Sequence, residues 1–518
     1  MKHMSTIFAL AASAILLASC AGRNAASSVE LHIPAEMRIP AELRAIMEAN
    51  REIALPPTHP DFAQLAAGLL TPSAADDATR QAQIVNDMRQ HAWQGEREIS
   101  PYDLLAHEEI IWEIDFIFGV LRNAYAGYQY FGGDAVFLPL RDSMLEQLAG
   151  MSDPLPVYSY LEDLLLPSFR GVVADNHFSF SFPGGERLRM DAPAYALHMS
   201  GEFTLRKLAG DFVADIDGAA HRVLETALLS GESADGILPT LTADGEFAFA
   251  FARFDRAGNQ PIEMSALFEN IATGERHSRV VALHEIESPP QQYHTPLVKR
   301  EDRGVTIMET RTFMPDVGIA SDFFDAGFSM RDQPVFVLDL RGNRGGIGYF
   351  PVTWMYAYIG QRLIVGRNPA LLWFRMNSPV VNELMQSDHE GLPGINWDWP
   401  NPFPRDVIPD DNIVIVLVDN YVASAGEFFV SILRRLENAL FVGTNTLGVY
   451  LTGGMAETVL PRSGLNMRIG TQLNLRPDFS LFEGVGFLPD LWVPPGESLE
   501  RALAFIERYG LNSVRDAN

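Results

Sequence analysis

Three patterns of apolar positions follow one another along the chain. From Ala106 to Tyr125 the residues Ile110, Ile111, Ile114, Phe116, Ile117, Val120 and Leu121 recur at helical spacing, and 144–148 and 157–166 continue that period. This predicts a helical subdomain, which we delimit at 101–185. Between 186 and 300 the pattern shortens to alternating runs such as Phe203-Thr-Leu-Arg-Lys-Leu and Glu246-Phe-Ala-Phe-Ala-Phe-Ala-Arg-Phe, broken by Asp-Gly and Ala-Gly turns. That alternation predicts a β-rich module. From 301 to 518 continuous apolar runs, Val335-Phe-Val-Leu-Asp-Leu340 and Ile413-Val-Ile-Val-Leu-Val418, alternate with helical periods. Such runs predict strands buried on both faces of an α/β sheet.

The first hundred residues read differently. Met1-Lys2-His3-Met4 precedes an apolar run from Ile7 to Ala18 that is too short to span a bilayer and has the layout of a signal peptide. Residues 21–100 are rich in Ala and Pro, with Pro56-Pro57, Pro60 and Pro72 interrupting short helical stretches, and predict a tether with an irregular region behind it.

Composition narrows the function. A 518-residue chain with 47% hydrophobic and 20% charged residues folds into several domains. Its formal net charge of −27 argues against nucleic acid or an anionic lipid surface as partner, because both are bound through clustered Lys and Arg. The one cysteine, Cys20, excludes a disulfide framework, a thiolate cluster and a cysteine nucleophile elsewhere in the chain. His107-Glu-Glu-Ile-Ile-Trp112 begins like a zinc-protease helix but lacks the second histidine, and no cofactor is implied.

Two segments carry candidate chemistry. Ser424 follows the 413–418 strand and precedes Phe428, Phe429, Ile432, Leu433 and Leu436 at helical spacing, so it sits where a strand hands over to a helix. Free N–H groups at a helix start can stabilise an oxyanion, although an isolated serine there is more often a cap. Val335 to Gly346 is a buried strand running into a glycine-rich turn, which lets a backbone N–H approach a substrate; it has neither the lysine of a P-loop nor the glycine spacing of a dinucleotide fold.

Together these segments resemble the S41 peptidases, the carboxyl-terminal processing and tricorn-type proteases. The resemblance rests on Asp339-Leu-Arg-Gly-Asn-Arg-Gly-Gly346, Ala423-Ser-Ala-Gly-Glu427 and Val442-Gly-Thr-Asn-Thr-Leu-Gly448, in the family's order and spacing. It covers at least 304–495 and reaches back more weakly to about 105. It implies a ClpP/crotonase-like catalytic core. Lys207 to Gly218 also resembles, loosely, the PDZ segment ending in Ile-x-Gly, so the middle module is expected to be either a degenerate PDZ-like clamp or a β insert.

The family's Ser-Lys branch places its lysine just after the 442–448 segment, where this chain reads Gly448-Val-Tyr-Leu-Thr452, and no lysine follows Lys299. The tricorn-like branch uses a histidine and a glutamate. Asp175-Asn176-His177-Phe178 and Phe482-Glu483-Gly-Val-Gly-Phe-Leu-Pro-Asp490 match those two motifs, with Asn176 where the pattern has serine. By resemblance Ser424 is then the nucleophile, His177 the base, Glu483 its support and Asn176 a side chain able to hold a carboxylate, with Ala425 and Gly345 or Gly346 supplying the oxyanion hole.

Leu17-Ala18-Ser19-Cys20 likewise resembles the lipobox of bacterial lipoproteins. It implies a lipid on Cys20 and a place in the bacterial cell envelope, on the periplasmic face or outer membrane. The expected partner is a protein or peptide substrate. The competing expectation is an inactive S41-fold lipoprotein that binds peptide or another ligand without cutting it, for which Asn176 and the diverged 448–454 loop are the arguments.

Overall fold

The computed structural model describes residues 39–54, 78–92, 100–190, 194–229, 236–258, 260–289, 297–314, 319–360, 372–375, 378–385, 407–475 and 483–512. Cys20 and the segment around it lie outside the described residues. Among the described residues no helix is long and apolar enough to cross a membrane.

Helices α1 (Ala41–Ala54) and α2 (Ala78–Ala92) precede α3 (His107–Ala124) and α4 (Asp134–Ala149). Glu109 starts α3: its carboxylate accepts the Ala106 N–H at 3.0 Å, satisfying a donor that has no intrahelical partner. The apolar stripe of α3 packs with the helical run 157–169 and with Phe178 and Phe180. On that stripe sits a fully buried acid, Glu113, whose carboxylate accepts the N–H groups of Arg462 (2.6 Å) and Ser463 (2.9 Å). The helical subdomain is thereby tied to the C-terminal part of the chain.

Strands β1 (Ser179–Ser181) and β2 (Leu188–Arg189) follow. The middle module is an antiparallel barrel of β3 (Tyr195–Leu208), β4 (Asp211–Ile216), β5 (Ala219–Leu228), β6 (Ile237–Leu241), β7 (Phe247–Arg256), β8 (Ile262–Asn270) and β9 (Arg276–Glu285). The strand order is β9-β8-β5-β4-β3-β7-β6, closed where His198 and Met199 of β3 pair with Glu285 and His284 of β9. The PDZ-resembling stretch Lys207 to Gly218 forms the β3–β4 hairpin and the turn after it.

The C-terminal part contains a six-stranded sheet, ordered β10 (Val298–Asp302), β11 (Val305–Glu309), β12 (Val335–Asp339), β14 (Ile413–Val418), β15 (Ala439–Gly443) and β18 (Leu491–Trp492), all parallel except β10. The continuous apolar runs are explained by the pleat. Phe336, Leu338, Val414 and Val416 face α5 (Ile319–Met330), α6 (Tyr349–Ile359) and α7 (Ala425–Leu433), while Val335, Val337, Ile413 and Ile415 face α1 and α8 (Ser498–Arg508). With helices on both faces, alternate residues of one strand enter different cores.

A third sheet positions the site. β17 (Asn466–Leu475) pairs with β16 (Thr452–Val459) along its length, with β13 (Leu372–Arg375) at one end and with β1 at the other. β1, two residues after His177, is thus stitched into the C-terminal part through Phe180 opposite Met467.

Candidate active site

β14 ends at Val418, and the chain turns on Asp419. This buried carboxylate accepts the N–H groups of Gly342 (2.9 Å) and Tyr421 (3.0 Å), joining the glycine-rich turn to the segment leading to Ser424. Burial pushes it up to about 6. The base of the glycine turn is clamped by Asp339, which takes two hydrogen bonds at 2.8 Å from Arg311 and two, at 2.9 and 2.7 Å, from Arg341. Burial alone would raise this carboxyl, but the two guanidiniums outweigh it and hold it well below the usual carboxylate range.

Asn343 completes the join. Its carbonyl accepts the Ala423 N–H at 2.9 Å, its Oδ1 accepts the Gly345 N–H at 2.8 Å, and its Nδ2 donates to Thr310 O at 3.1 Å. The two turns meet so closely that a Cβ on Gly345, whose φ is +89°, would lie 2.8 Å from Ala425 N and 2.9 Å from Ser424 Cβ. Only glycine fits there.

Ser424 occupies φ 54°, ψ −118°, a conformation that L residues rarely adopt and that persists only where its surroundings fix it. Its N–H is shared between Val449 O and Glu427 Oε2, both at 3.1 Å. Ala425 is the first helical residue, so its N–H has no acceptor within α7. Ser424 opens on a cavity of about 340 Å³ lined by Tyr349, Val352, Phe428, Tyr450, Thr452 and Asn474 among others.

Glu427 is a further residue of the site, legible in the capping-box spacing of Ser424-Ala-Gly-Glu427. Fully buried, its carboxylate accepts the Ser424 N–H, Thr446 Oγ1 (2.6 Å) and the N–H groups of Gly448 and Val449 (both 2.8 Å). Burial pushes it up to about 7 against these donors. Glu483 holds the next two residues: its Oε2 accepts the N–H groups of Tyr450 (3.1 Å) and Leu451 (2.9 Å), and its Oε1 that of Asn176 (2.7 Å). The loop in which the lysine is missing is therefore pinned by two buried carboxylates.

The link between Glu483 and the histidine segment runs through the main-chain N–H of Asn176 rather than its side-chain amide. Asp175, beside it, accepts Tyr125 OH (2.8 Å), Thr452 Oγ1 (2.9 Å) and the His177 N–H (2.9 Å). Desolvation raises both Asp175 and Glu483, and the charge of Asp175 adds to the rise of Glu483. Tyr125, Asp175 and Thr452 were not singled out from the sequence. Tyr125 lies far from the recognised motifs and Thr452 just after the 442–448 segment, and they meet Asp175 only in the fold.

His177 borders this network at Thr452, which also lines the Ser424 cavity. The ring is neutral. Desolvation first, then Arg468 and Arg189, lower it to about 3, with the Thr452 backbone opposing. Its Nδ1 is buried without a hydrogen-bond partner. Among the described residues no hydrogen bond joins the imidazole to Ser424 or to the Glu483 carboxylate.

Ser424 thus sits on a strained strand-to-helix turn, backed by a glycine turn and open to a cavity. Residues 318–493 match the model of peptidase family S41. No curated protein matches the sequence. Among solved structures the chain is similar to mature CPAF (14% identity, 78% of this chain and 96% of that one, TM-score 0.36). It is also similar to the photosystem II D1 C-terminal processing protease (15%, 77% and 98%, 0.35) and to the tricorn protease (13%, 78% and 37%, 0.31).

Proposed function

We propose that the chain is a serine endopeptidase that hydrolyses peptide bonds through an acyl-enzyme. The observation that carries this reading is Ser424 itself, held in a strained conformation against Gly345 at the mouth of the cavity. In the proposed reaction Ser424 Oγ attacks the scissile carbonyl carbon and its proton passes to His177. The tetrahedral oxyanion is met by the N–H of Ala425 and one from the glycine turn. Because the Gly345 N–H already donates to Asn343, Gly346 is the better candidate for the second donor. Collapse expels the amine, which takes the proton from His177, and water then releases the acyl group.

Glu483 serves here as a positioning residue: it holds Asn176, the neighbour of the base, and Tyr450 of the cavity wall with Leu451 beside it. A fluorophosphonate probe should label the wild-type chain and not Ser424→Ala, with casein cleaved by the first alone. Neither labelling nor cleavage would sink this reading.

One observation favours the second reading, an inactive peptide-binding relative: the His177 ring makes no hydrogen bond to Ser424 and is depressed to about 3, where it is a weak base. Under that reading Ser424→Ala would bind peptides as tightly as the wild type, and neither would cut them.

Anchoring in the bacterial envelope through a lipid on Cys20 is part of the same proposal and rests on the Leu17–Cys20 sequence. Labelled palmitate should enter the wild-type chain and not Cys20→Ala, which should leave the membrane fraction.

A further inference from the structure

In a chain with 39 Lys and Arg against 66 Asp and Glu, a local excess of cations stands out. One such excess surrounds His177. In β1, Ser179 is paired on one side with Arg189 of β2 and on the other with Arg468 of β17. Phe178, Phe180 and Met467 enter the core, so the alternating set Ser179, Arg189 and Arg468, with His177 preceding it, addresses the opposite face. Arg187 joins them. Its guanidinium is 4.0 Å from the carboxylate of Glu457, which sits opposite Arg468 on β16.

These arginines repel one another. Arg468 is lowered to about 10 by burial and then by Arg187 and Arg189, with Glu457 opposing. Arg189 is lowered by burial and then by Arg344 and Arg187, with Glu483 and Glu186 opposing. Among the described residues neither Arg189 nor Arg468 forms an ion pair. The same three arginines bear on His177, whose buried Nδ1 lacks a partner. Like charges gathered without an ion pair for each one destabilise the free protein, and a cluster so perturbed is a candidate site for an anion.

The cluster is continuous with the Ser424 cavity. Gln472 and Asn474, which line it, share the Arg468 face of β17, and Gln472 lies four positions from Arg468, about 13 Å along the strand. Thr452 covers the interval, over Gly470, where a Cβ would come within 2.2 Å of its Oγ1. An extended peptide crosses that distance in about four residues.

We infer that Arg187, Arg189 and Arg468 form a subsite for an acidic side chain, Asp or Glu, of the peptide substrate, within about four residues of the bond presented to Ser424. The inference rests on the peptidase reading and makes the arginines specificity residues of that reaction. Arg468 is only partly exposed, so its pairing with a carboxylate is less screened than a surface ion pair.

The test uses acetylated and amidated fluorogenic peptides, so that terminal carboxylates play no part, in matched pairs with Glu or Gln at each position near the cleaved bond. At one position or more the wild-type kcat/KM should favour Glu by about tenfold, a ratio that shrinks in high salt. The ratio should fall toward one in Arg189→Gln/Arg468→Gln and persist in Arg206→Gln, a control on the barrel. Arg468→Glu should turn the preference toward Lys at the same position, a gain that misfolding cannot mimic. Equal cleavage of both members of every pair by the wild type would overturn the subsite, as would a preference that survives the double substitution or appears only with a free C-terminus. Peptide affinities measured on Ser424→Ala separate the two readings. Tighter binding of the Glu peptides without any cleavage by the wild type would remove the peptidase reading and leave the subsite, whereas equal binding would remove the subsite.

Discussion

The carboxylate of Glu483 accepts the main-chain N–H of Asn176 at 2.7 Å across 307 positions of sequence, and with its other oxygen it holds Tyr450 and Leu451. One side chain thus fixes both the approach to His177 and the wall of the Ser424 cavity. Glu483→Gln keeps the size but turns an acceptor-only group into one that presents an N–H to three N–H donors. It should lower kcat/KM by at least about a hundredfold and cost roughly 2–4 kcal/mol of stability. Peptide kinetics with calorimetry check this, and a variant within a few-fold of the wild type would remove Glu483 from the site.

Glu427 gives the stability a pH dependence of definite sign. Its folded-state value, about 7, lies above the ordinary 4.5, so between the two the native chain keeps a proton that the unfolded chain has released. Stability therefore falls as pH rises through that window, by roughly 3 kcal/mol for this group. In Glu427→Gln that contribution vanishes. The difference in stability between wild type and variant should shrink, in disfavour of the wild type, from pH 4.5 to 7. Calorimetric melts across the range decide it, and a pH-independent difference would falsify the assignment.

The parallel sheet was legible because strands covered on both faces need apolar residues at every position, as Ile413 to Val418 have. The place of Ser424 between strand and helix followed from the same run. Closure of the barrel was not legible: β3 pairs with β4, β7 and β9 in turn, and nothing local in His198 and Met199 announces a partner at Glu285 and His284. The same limit applied to Glu483. Its Gly and Pro frame pointed to a special carboxylate, but its partners are main-chain N–H groups, which every residue except proline offers alike.

Ser424 stores strain that a glycine would release. At φ 54°, ψ −118° the serine Cβ is disfavoured, at a cost of order 1–3 kcal/mol, less the backbone entropy that glycine adds to the unfolded chain. Ser424→Gly should raise stability by about 1 kcal/mol while abolishing labelling and cleavage, whereas Ser424→Ala should abolish both without the gain. A destabilised glycine variant would show that the hydroxyl, not the backbone, dominates the local energetics.

His177 should remain neutral far into acid. Desolvation and the neighbouring Arg468 and Arg189 place its titration at about 3, well under the ordinary 6.5, so the ring nitrogens should not shift between pH 5 and 8. Nitrogen NMR of histidine-labelled protein, with the His177→Gln spectrum for assignment, reads this directly. Occupation of the arginine cluster by a Glu peptide should then move the titration upward, because the cations that depress the ring would have a carboxylate to face. Titration near 6.5 in the free chain would mean that the arginines do not act on the imidazole at all, and a peptide that binds without moving it would mean that its carboxylate settles elsewhere.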